Sequence, residues 1–330
     1  MKLRSRVVEA EILDPGAGFR PARTVVEIRW DPLTGHSSRI LPARGLMPPG
    51  EADLEALAEE SRATCPFCPD RIESRTPKLT PAVAPEGRIR VGRAVLFPNL
   101  LPYGAHSSVS VYAPDLHLLR LGDMTPDLVA DNLAAQVAWV RAVQATDPDA
   151  RWASVSANHF VPSGSSLFHP HLQGLVDREP TTVQRVLSEV PAGRFAEYLD
   201  TERDLGARYV GRIGRVEWLA GFAPVGPAEI RAFVPGAASP AELDERDVRD
   251  LGRGIATVLN LYADLGYESF NLAACGVPDR PLDVRIVARS SLRPFYRSDV
   301  TSLERLHFEG AVDVSPEDLA LRAGERFPTP

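Results

Sequence analysis

The chain has 330 residues, of which 44% are hydrophobic and 25% charged, so it can bury a full core as one large domain or two moderate ones. Its net charge of −7 argues against a general binder of nucleic acid or anionic membranes, but it is compatible with a local basic pocket for one nucleotide. No apolar run approaches membrane-spanning length or resembles a signal peptide. Three cysteines leave one unpaired in any disulfide scheme, so we expect a reducing, cytoplasmic location.

The first predicted element is a hairpin near the N-terminus. Strand-like residues over 24–42 surround a tight turn at 31–35. Arg29, Arg39 and Arg44 lie on or beside this hairpin. A solvated surface position and a contact with phosphate are equally compatible with each of these arginines.

A short acidic helix is predicted over 50–63, and it leads into Cys65-Pro66-Phe67-Cys68. In a cytosolic chain, Cys-x-x-Cys is either half of a zinc site or a redox pair. A redox pair needs a position between a strand and a helix, which the many prolines of this segment disfavour. We therefore expect zinc. Because the chain has no second cysteine pair, its histidines are the candidates for the remaining ligands.

The rest of the chain predicts a repeated order of elements. The first half has strands at 88–97 and 107–112, a helix from Thr125 to about Ala145, and a strand at 152–160. The second half has a helix at 181–199, strands at 215–222 and 228–234, a helix from Ser239 or Pro240 to Leu265, and strands at 269–274 and 282–289. We expect an α+β fold made of a duplicated unit, 1–180 and 181–330, whose antiparallel strands join one continuous sheet with flanking helices.

Candidate chemistry is concentrated between Ser163 and Gly174. If residues 168–175 form a strand, alternate side chains share a face, so His169, His171 and Gln173 form a row. Imidazole can attack phosphorus as a neutral nucleophile, and the serines upstream offer hydroxyl and N–H groups to phosphate oxygens. The glutamine can donate a hydrogen bond to an oxyanion but cannot take a proton from water. The same pattern is compatible with a metal site or with two ordinary histidines.

Taken together, these segments resemble the galactose-1-phosphate uridylyltransferase family, the two-repeat branch of the histidine-triad superfamily. The segments that carry the resemblance are Asp31-Pro32-Leu33-Thr34-Gly35, Pro42-Ala43-Arg44, Cys65-Pro66-Phe67-Cys68, Phe97-Pro98-Asn99 and His169-Pro170-His171-Leu172-Gln173. They look like the family's N-terminal hairpin, Pro-x-Arg, zinc knuckle, nucleotide-side Phe-x-Asn and His-Pro-His-x-Gln signature. The resemblance covers about residues 24–180 by motif and the remainder by element order.

The resemblance implies a structural zinc site. In the family, the first histidine of the signature binds zinc together with the two cysteines and a histidine near a Pro-Asp-His segment. Carried over, the ligands would be Cys65, Cys68, His117 and His169. This chain reads Pro114-Asp115-Leu116-His117, one residue longer than the family pattern, which leaves Asp115 or His106 as alternatives to His117.

The resemblance also implies a nucleophile, because the second histidine of the signature has that role in the family. His171 would attack the α-phosphorus of a nucleoside-diphosphate sugar and form a nucleotidyl-histidine. Gln173 would contact the transferring phosphoryl group, and Ser166 the outer phosphate. The remaining substrate contacts would be Arg44, Asn99, Asn158 and Ser165. Catalysis would consist of positioning and charge stabilisation.

The implied activity is that of a dimeric nucleotidyltransferase. It would move a nucleoside monophosphate, with UMP as the first candidate, between an NDP-sugar and a sugar 1-phosphate by a ping-pong route. One alternative is an NDP-sugar or dinucleoside-polyphosphate phosphorylase that uses inorganic phosphate. Another is an inert, zinc-stabilised nucleotide-binding protein. The family's second His-x-His has no counterpart within 282–287, so we expect no accessory metal site and do not assume galactose.

Overall fold

A computed structural model of the chain describes residues 1–41, 52–293 and 300–328. The strands are β1 (Arg4–Asp14), β2 (Arg20–Trp30), β3 (Ser37–Ile40), β4 (Ile89–Val91), β5 (Ala94–Pro98), β6 (His106–Val111), β7 (Trp152–His159), β8 (His171–Asp177), β9 (Tyr209–Ile213), β10 (Val216–Ala220), β11 (Ile230–Val234), β12 (Ser269–Cys275), β13 (Leu282–Arg289) and β14 (Gly310–Val312). The helices are α1 (Leu54–Arg62), α2 (Ile72–Arg75), α3 (Pro126–Thr146), α4 (Thr182–Glu189), α5 (Ala192–Leu205), α6 (Glu245–Asp264), α7 (Ser302–His307) and α8 (Pro316–Gly324).

The main sheet has ten antiparallel strands in the order β4-β5-β6-β8-β7-β12-β13-β11-β10-β9. Its first five strands come from one half of the chain and its last five from the other. The sequence β4-β5-β6-α3-β7-β8 recurs as β9-β10-β11-α6-β12-β13, and the two repeats meet where β7 pairs with β12. The predicted α+β fold with a duplicated unit and one continuous sheet is confirmed. The boundary near residue 180 stays a prediction.

One face of this sheet packs against α3 and α6. Leu172 and Val176 of β8 are buried there, and Gly174 lies between them against α3. A Cβ at Gly174 would lie 2.4 Å from Gln136 Oε1 and 2.5 Å from the Trp139 ring, so only glycine fits. We call the opposite surface of the central strands the open face. It carries Ser156 and Asn158 of β7, His171 and Gln173 of β8, Asn271 of β12, and Asp283 and Arg285 of β13.

The long helices begin where capping residues predict. Thr125 caps α3 through its side chain, as expected from the sequence. The prediction of a helix from 239 or 240 is corrected, because α6 begins after Asp244, which forms a capping box with Asp247. The prediction of one helix over 181–199 is also wrong. Helix α4 ends before Pro191, which has no N–H to continue it, and α5 begins after that proline.

Several strands differ from the prediction. Strands β1 and β9 were not predicted, and residues 88–97 form the hairpin of β4 and β5, which turns at Gly92 with φ of 51°. Strand β8 begins at His171 rather than at residue 168, because Pro170 has no N–H to donate to the ladder. His169 therefore lies just before the strand.

A second sheet has the order β1-β2-β3-β14, with β14 parallel to β3. This pairing joins the C-terminal part of the chain to the N-terminal hairpin. Across the described ranges, no helix combines the length and apolar character that crossing a bilayer requires.

Candidate functional site

Four buried side chains from three separate segments meet beside the open face. Cys65 and Cys68 follow α1, His117 follows β6, and His169 precedes β8; their candidate ligand atoms all lie within 4.8 Å of one another. The Cys65 sulfur is 3.6 Å from His169 Nδ1, and the Cys68 sulfur is 3.3 Å and 3.9 Å from Nδ1 of His117 and His169. Ligand atoms around tetrahedral zinc are separated by about 3.3–3.8 Å. The spacing of these atoms suits a zinc ion.

The hydrogen bonds behind the two imidazoles fix their tautomers. His169 Nε2 lies 3.0 Å from the carbonyl oxygen of Ala113, which can only accept, so Nε2 carries the proton. His117 Nε2 lies 2.9 Å from Ser61 Oγ, whose own proton is donated to the Ala58 carbonyl. Both rings therefore direct an Nδ1 lone pair at the sulfurs. Such outer hydrogen bonds are a common feature of metal-ligating histidines.

Without a cation, burial disfavours the charged forms of the groups in this cluster. The pKa of the Cys68 thiol is raised to about 11, first by burial and then by the neighbouring Cys65. Burial also lowers the pKa of His169 to about 4, which keeps that ring neutral at pH 7. A divalent cation would balance the charge of two thiolates, so the donor set fits zinc in charge as well as in spacing.

The two alternatives to His117 are engaged elsewhere. Asp115 accepts a hydrogen bond from Arg93 at 2.7 Å on the surface, and His106 Nε2 lies 3.0 Å from Asp147. Among the described residues, the group that could hold a metal thus contains His117 and neither alternative.

The next histidine, His171, is held by the backbone of His169. His171 Nδ1 lies 2.9 Å from the His169 carbonyl oxygen, so Nδ1 carries the proton and Nε2 keeps its lone pair. The ring of Phe67 contacts both imidazoles, with centroids 5.5 Å from His171 and 5.9 Å from His169. Both rings therefore lie on one side of the backbone. Burial lowers the pKa of His171, which favours the neutral ring.

Amide groups surround His171 on the open face. Gln173 lies two residues further along β8, across from Ser156 of β7. Ala157 lies across from Leu172, so Asn158 occupies the next position, beside His171. The side chain of Gln173 makes no hydrogen bond with a described residue. These amides can donate to an anion bound over the strands.

The loop between β7 and β8 begins with an unusual backbone conformation. Phe160 has φ of 66° and ψ of 171°, a region that residues other than glycine rarely adopt. Ser165 donates its hydroxyl proton to the Leu167 carbonyl at 2.7 Å and accepts from the Leu167 N–H. Ser166 is exposed and makes no hydrogen bond with a described residue. Ser166 can therefore offer its hydroxyl to a ligand, whereas Ser165 could do so only by breaking its hydrogen bonds with Leu167.

No family model matches the chain. It is 30% identical over 336 residues to an uncharacterised protein of Archaeoglobus fulgidus, with 97% of each chain covered, and it belongs to one family with that protein. The ADP-glucose phosphorylase of Arabidopsis thaliana, solved with bound ADP-glucose, matches with a TM-score of 0.68 at 20% identity, covering 91% of this chain and 99% of that one. A uridylyltransferase matches with a TM-score of 0.60 at 20% identity, covering 91% and 97%. The chain has the galactose-1-phosphate uridylyltransferase fold.

Within this fold, the remaining predicted contacts lie at varied distances from His171. Asn99 is on the same side of the sheet, two strands away and level with Leu175, which is four residues along β8 from His171. Strand spacing and rise place it on the order of 16 Å from His171. Its Oδ1 accepts from the Leu101 N–H. Arg44 lies outside the described residues, so its predicted phosphate contact stays a prediction.

The structure places Arg29 in the interior, so the alternative of a solvated surface position is wrong for Arg29, whereas Arg39 is half-buried. Arg29 is buried and pairs with Glu27 at 2.8 Å and with Glu317 at 2.9 Å. Arg39 pairs with Glu309 at 2.6 Å. Both arginines join the N-terminal hairpin to other parts of the uridylyltransferase fold, and neither presents a free guanidinium to the open face.

Sequence reasoning missed two residues that support the site. Ser61 orients His117, and Asn271 of the second repeat contacts Asn158 through hydrogen bonds. Neither residue stands in a recognisable motif. Their partners lie 56 and 113 positions away in sequence, so only the folded chain brings these pairs together.

Proposed function

We propose that the chain is a nucleotidyltransferase that forms a covalent nucleotidyl-histidine at His171. The observation that carries this proposal is the hydrogen bond of 2.9 Å from His171 Nδ1 to the His169 carbonyl. It leaves Nε2 as a neutral nucleophile beside amide donors. The likeness to enzymes of nucleotide-sugar chemistry supports the proposal at the level of fold.

In the first step, His171 Nε2 attacks the α-phosphorus of an NDP-sugar. The bond from that phosphorus to the bridging oxygen breaks as the N–P bond forms, and sugar 1-phosphate leaves. The Nδ1 proton stays on the ring and donates to the His169 carbonyl, which stabilises the positive charge that develops on the imidazole. In the second step, an acceptor phosphate oxygen attacks the same phosphorus and the N–P bond breaks.

Side chains around His171 would hold the phosphates in line for attack. Gln173 and Asn158 would donate to the oxygens of the transferring group. Ser166 would contact the outer phosphate. We retain Asn99 for the nucleoside and Arg44 for the phosphates as proposals from family resemblance, while Ser165 supports the loop through its own hydrogen bonds.

We propose a structural zinc ion held by Cys65, Cys68, His117 and His169. When bound, the ion would neutralise the two thiolates and fasten three chain segments together. The metal would then fix the ring of His169, and the carbonyl of the same residue orients the His171 ring. The nucleophile is thus positioned by a neighbour that is itself fixed.

The first candidate acceptor is a sugar 1-phosphate, and the second is inorganic phosphate. The second is included because an ADP-glucose phosphorylase shares the fold at a TM-score of 0.68. To separate them, the protein is incubated with UDP-, ADP- and GDP-sugars labelled at the α-phosphate. Labelled enzyme is then isolated and given either acceptor. Release as NDP-sugar only with sugar 1-phosphate supports the transferase, whereas release as NDP with phosphate supports the phosphorylase.

An inert nucleotide-binding protein would behave differently. It would retain nucleotide by reversible binding, and denaturation at neutral pH would remove all label. A phosphoramidate on His171 survives denaturation at neutral pH and is lost in acid. Full zinc occupancy with no covalent label from any of the three donors would contradict the proposed enzyme.

We propose that the protein is a homodimer joined through its N-terminal ribbon. This ribbon, the arm (residues 4–30), consists of β1, β2 and their turn, and among the described strands β1 pairs only with β2. One of its faces is apolar and includes Val8, Ala10, Ile12, Ala22, Val26 and Ile28. Strand β3 pairs with β2 only from Glu27 to Trp30, so the rest of the arm is two-stranded. A two-stranded ribbon is marginal in water, so this part of the arm needs a partner. Two arms packed about a two-fold axis would bring Arg4 and Arg6 of one copy near Asp14 of the other.

Light scattering tests the dimer. The wild type is expected at twice the chain mass, and Ile12→Lys, on the apolar face, at the mass of one chain. Val7→Lys is the matched control, because Val7 is 60% exposed on the opposite, charged face. A monomeric wild type would contradict this part of the proposal. The composition supports a cytoplasmic protein, which we also retain as a proposal.

A further inference from the structure

We propose that Asn271, in the second repeat, is a positioning residue for the chemistry of the first. It would hold the Asn158 amide with Nδ2 directed at the bound phosphates. This inference rests on the proposed function. It concerns a residue outside every motif that the sequence displays.

The two asparagines face each other where the repeats meet. Asn271 of β12 pairs with Asn158 of β7 in the ladder, and both side chains are half-buried on the open face. Asn271 Nδ2 lies 2.7 Å from Asn158 Oδ1 and 2.9 Å from the Ser163 carbonyl oxygen. One side-chain amide therefore contacts two parts of the first repeat.

The Ser163 carbonyl determines the orientation of both amides. Because a backbone carbonyl can only accept, the Asn271 atom that faces it must be the nitrogen. That same nitrogen faces Asn158, so the Asn158 atom that receives its second hydrogen bond must be Oδ1. Asn158 Nδ2 is then left without a partner among the described residues. Its two N–H groups are available beside His171.

The orientation matters because an amide has a donor end and an acceptor end. With Nδ2 toward the groove, Asn158 attracts phosphate oxygens. With Oδ1 there, it repels them. Without Asn271, no described side chain would set this choice, and the amide could rotate. Asn271 thus acts through Asn158 and need not touch the substrate.

The contact with Ser163 gives Asn271 a second influence on the same groove. Ser163 ends the short turn at 161–163, and Gly164 follows with φ of 93°, a left-handed conformation that favours glycine. Ser166, the proposed contact for the outer phosphate, lies two residues beyond. Loss of Asn271 would therefore loosen this loop as well as the Asn158 amide.

The test is a set of single-turnover labelling rates, measured on the full chain with its zinc. Variants are Asn271→Ala, Asn271→Asp and Asn158→Ala, with each Asn271 variant also combined with Asn158→Ala. Cys275→Ser is the control, because Cys275 lies on the same strand and the same face. Thermal unfolding and zinc content are measured for every variant.

We expect Asn271→Ala to slow labelling on the order of a hundred-fold, as for the misplacement of a group that holds the substrate. Asn271→Asp should be slower still, because a carboxylate only accepts and would draw Asn158 Nδ2 away from the phosphates. In the Asn158→Ala background, the difference between Ala and Asp at position 271 should disappear. Cys275→Ser should label at the wild-type rate.

The outcomes separate this inference from the proposed function. Normal labelling by the wild type and by Asn271→Ala would overturn the inference alone. The same Ala-to-Asp difference with and without Asn158 would also overturn it, because the effect would not pass through that amide. A wild type that never labels would overturn the proposed function and the inference with it.

Discussion

The two repeats contain strands that are equivalent in topology but carry different side chains on the open face. Strand β8 lies between β6 and β7, and strand β13 lies between β11 and β12 in the same relation. On the open face, β8 carries His171 and Gln173. Neither His171 Nε2 nor the side-chain amide of Gln173 makes a hydrogen bond with a described residue. Strand β13 carries Asp283 and Arg285 there, and these form an ion pair with each other. The same topology carries the proposed reactive groove in one repeat and a buried ion network in the other.

The network of the second repeat is centred on Arg231, which is fully buried. Arg231 Nη1 donates to Asp31 at 2.8 Å, and Nη2 donates to Asp283 at 2.7 Å. Asp31 belongs to the turn that the sequence analysis associated with the family hairpin. This turn covers the second repeat, whereas the cysteine knuckle lies beside the first. The second repeat thus uses the open-face positions of β13 for buried ion pairs, whereas the candidate active site lies on β8 of the first repeat.

The largest expected effect is on the first repeat. His171→Ala should lower covalent labelling by a thousand-fold or more, on the order of the loss of a nucleophile. His106→Ala is the control, because His106 is a half-buried histidine paired with Asp147. Zinc content and unfolding temperature should match the wild type in both. Residual labelling of His171→Ala near the wild-type rate would show that another residue is the nucleophile.

The second prediction concerns the knuckle. Cys65→Ser should release zinc and destabilise the first repeat by several kcal/mol, because metal binding and folding are coupled. The zinc content and the denaturant midpoint are measured together. Cys275→Ser should change neither, since Cys275 is remote from the cluster in the second repeat. Stoichiometric zinc in purified Cys65→Ser would contradict the assigned ligands.

The third prediction concerns the second repeat. Arg231→Met should lower the free energy of unfolding by about 3–5 kcal/mol, because it leaves the Asp31 and Asp283 carboxylates buried without their cation. Arg249→Met removes an exposed cation paired with Glu245 and should cost under about 1 kcal/mol. If folded Arg231→Met still forms the covalent label, the ion network of the second repeat serves stability and the proposed chemistry belongs to the first repeat. Equal losses in the two variants would contradict it.

The smallest effect is on pH dependence. Burial, the largest single influence, would raise the pKa of Asp31, but Arg231 and Arg285 outweigh it and hold that pKa well below the usual value of 3.8. His36 contributes in the same direction. The resulting stability is complete above about pH 4 and is lost as the pH falls toward the lowered pKa.

Asp31→Asn measures this contribution. The difference in unfolding free energy between wild type and variant should be positive at pH 7 and should shrink below about pH 4. Protonation of the zinc ligands affects both proteins and cancels in the difference. A difference that grows in acid would contradict the assigned charge state.

Local signals predicted much of this molecule. The Cys-x-x-Cys, the His-Pro-His-x-Gln and the Thr125 cap each depend on neighbouring residues, so the two motifs and the start of α3 were recognisable in advance, while the roles of the motif residues stay predictions. The element order also revealed the duplication. Strand β1 was missed because its residues are mostly exposed, so the alternation of Val8, Ala10 and Ile12 with Glu9 and Glu11 marks no face of the core.

Other features depend on distant partners. Arg29 looked like a surface or phosphate-binding residue, yet Glu317 pairs with it from 288 positions away. The contact of Asn271 with Asn158 arises from the join between the two repeats, which no local pattern encodes. The sequence likewise left His117, Asp115 and His106 as alternatives for the fourth member of the cysteine–histidine cluster. The fold places His117 next to Cys68.

The most direct test of the central claim is the intact mass of the wild-type chain after exposure to UDP-, ADP- and GDP-sugars. We predict an added mass of one nucleotidyl group from at least one donor, located on the peptide that contains His171. The added mass also identifies the base. No adduct from any donor in zinc-loaded protein, or an adduct on another residue, would contradict the account.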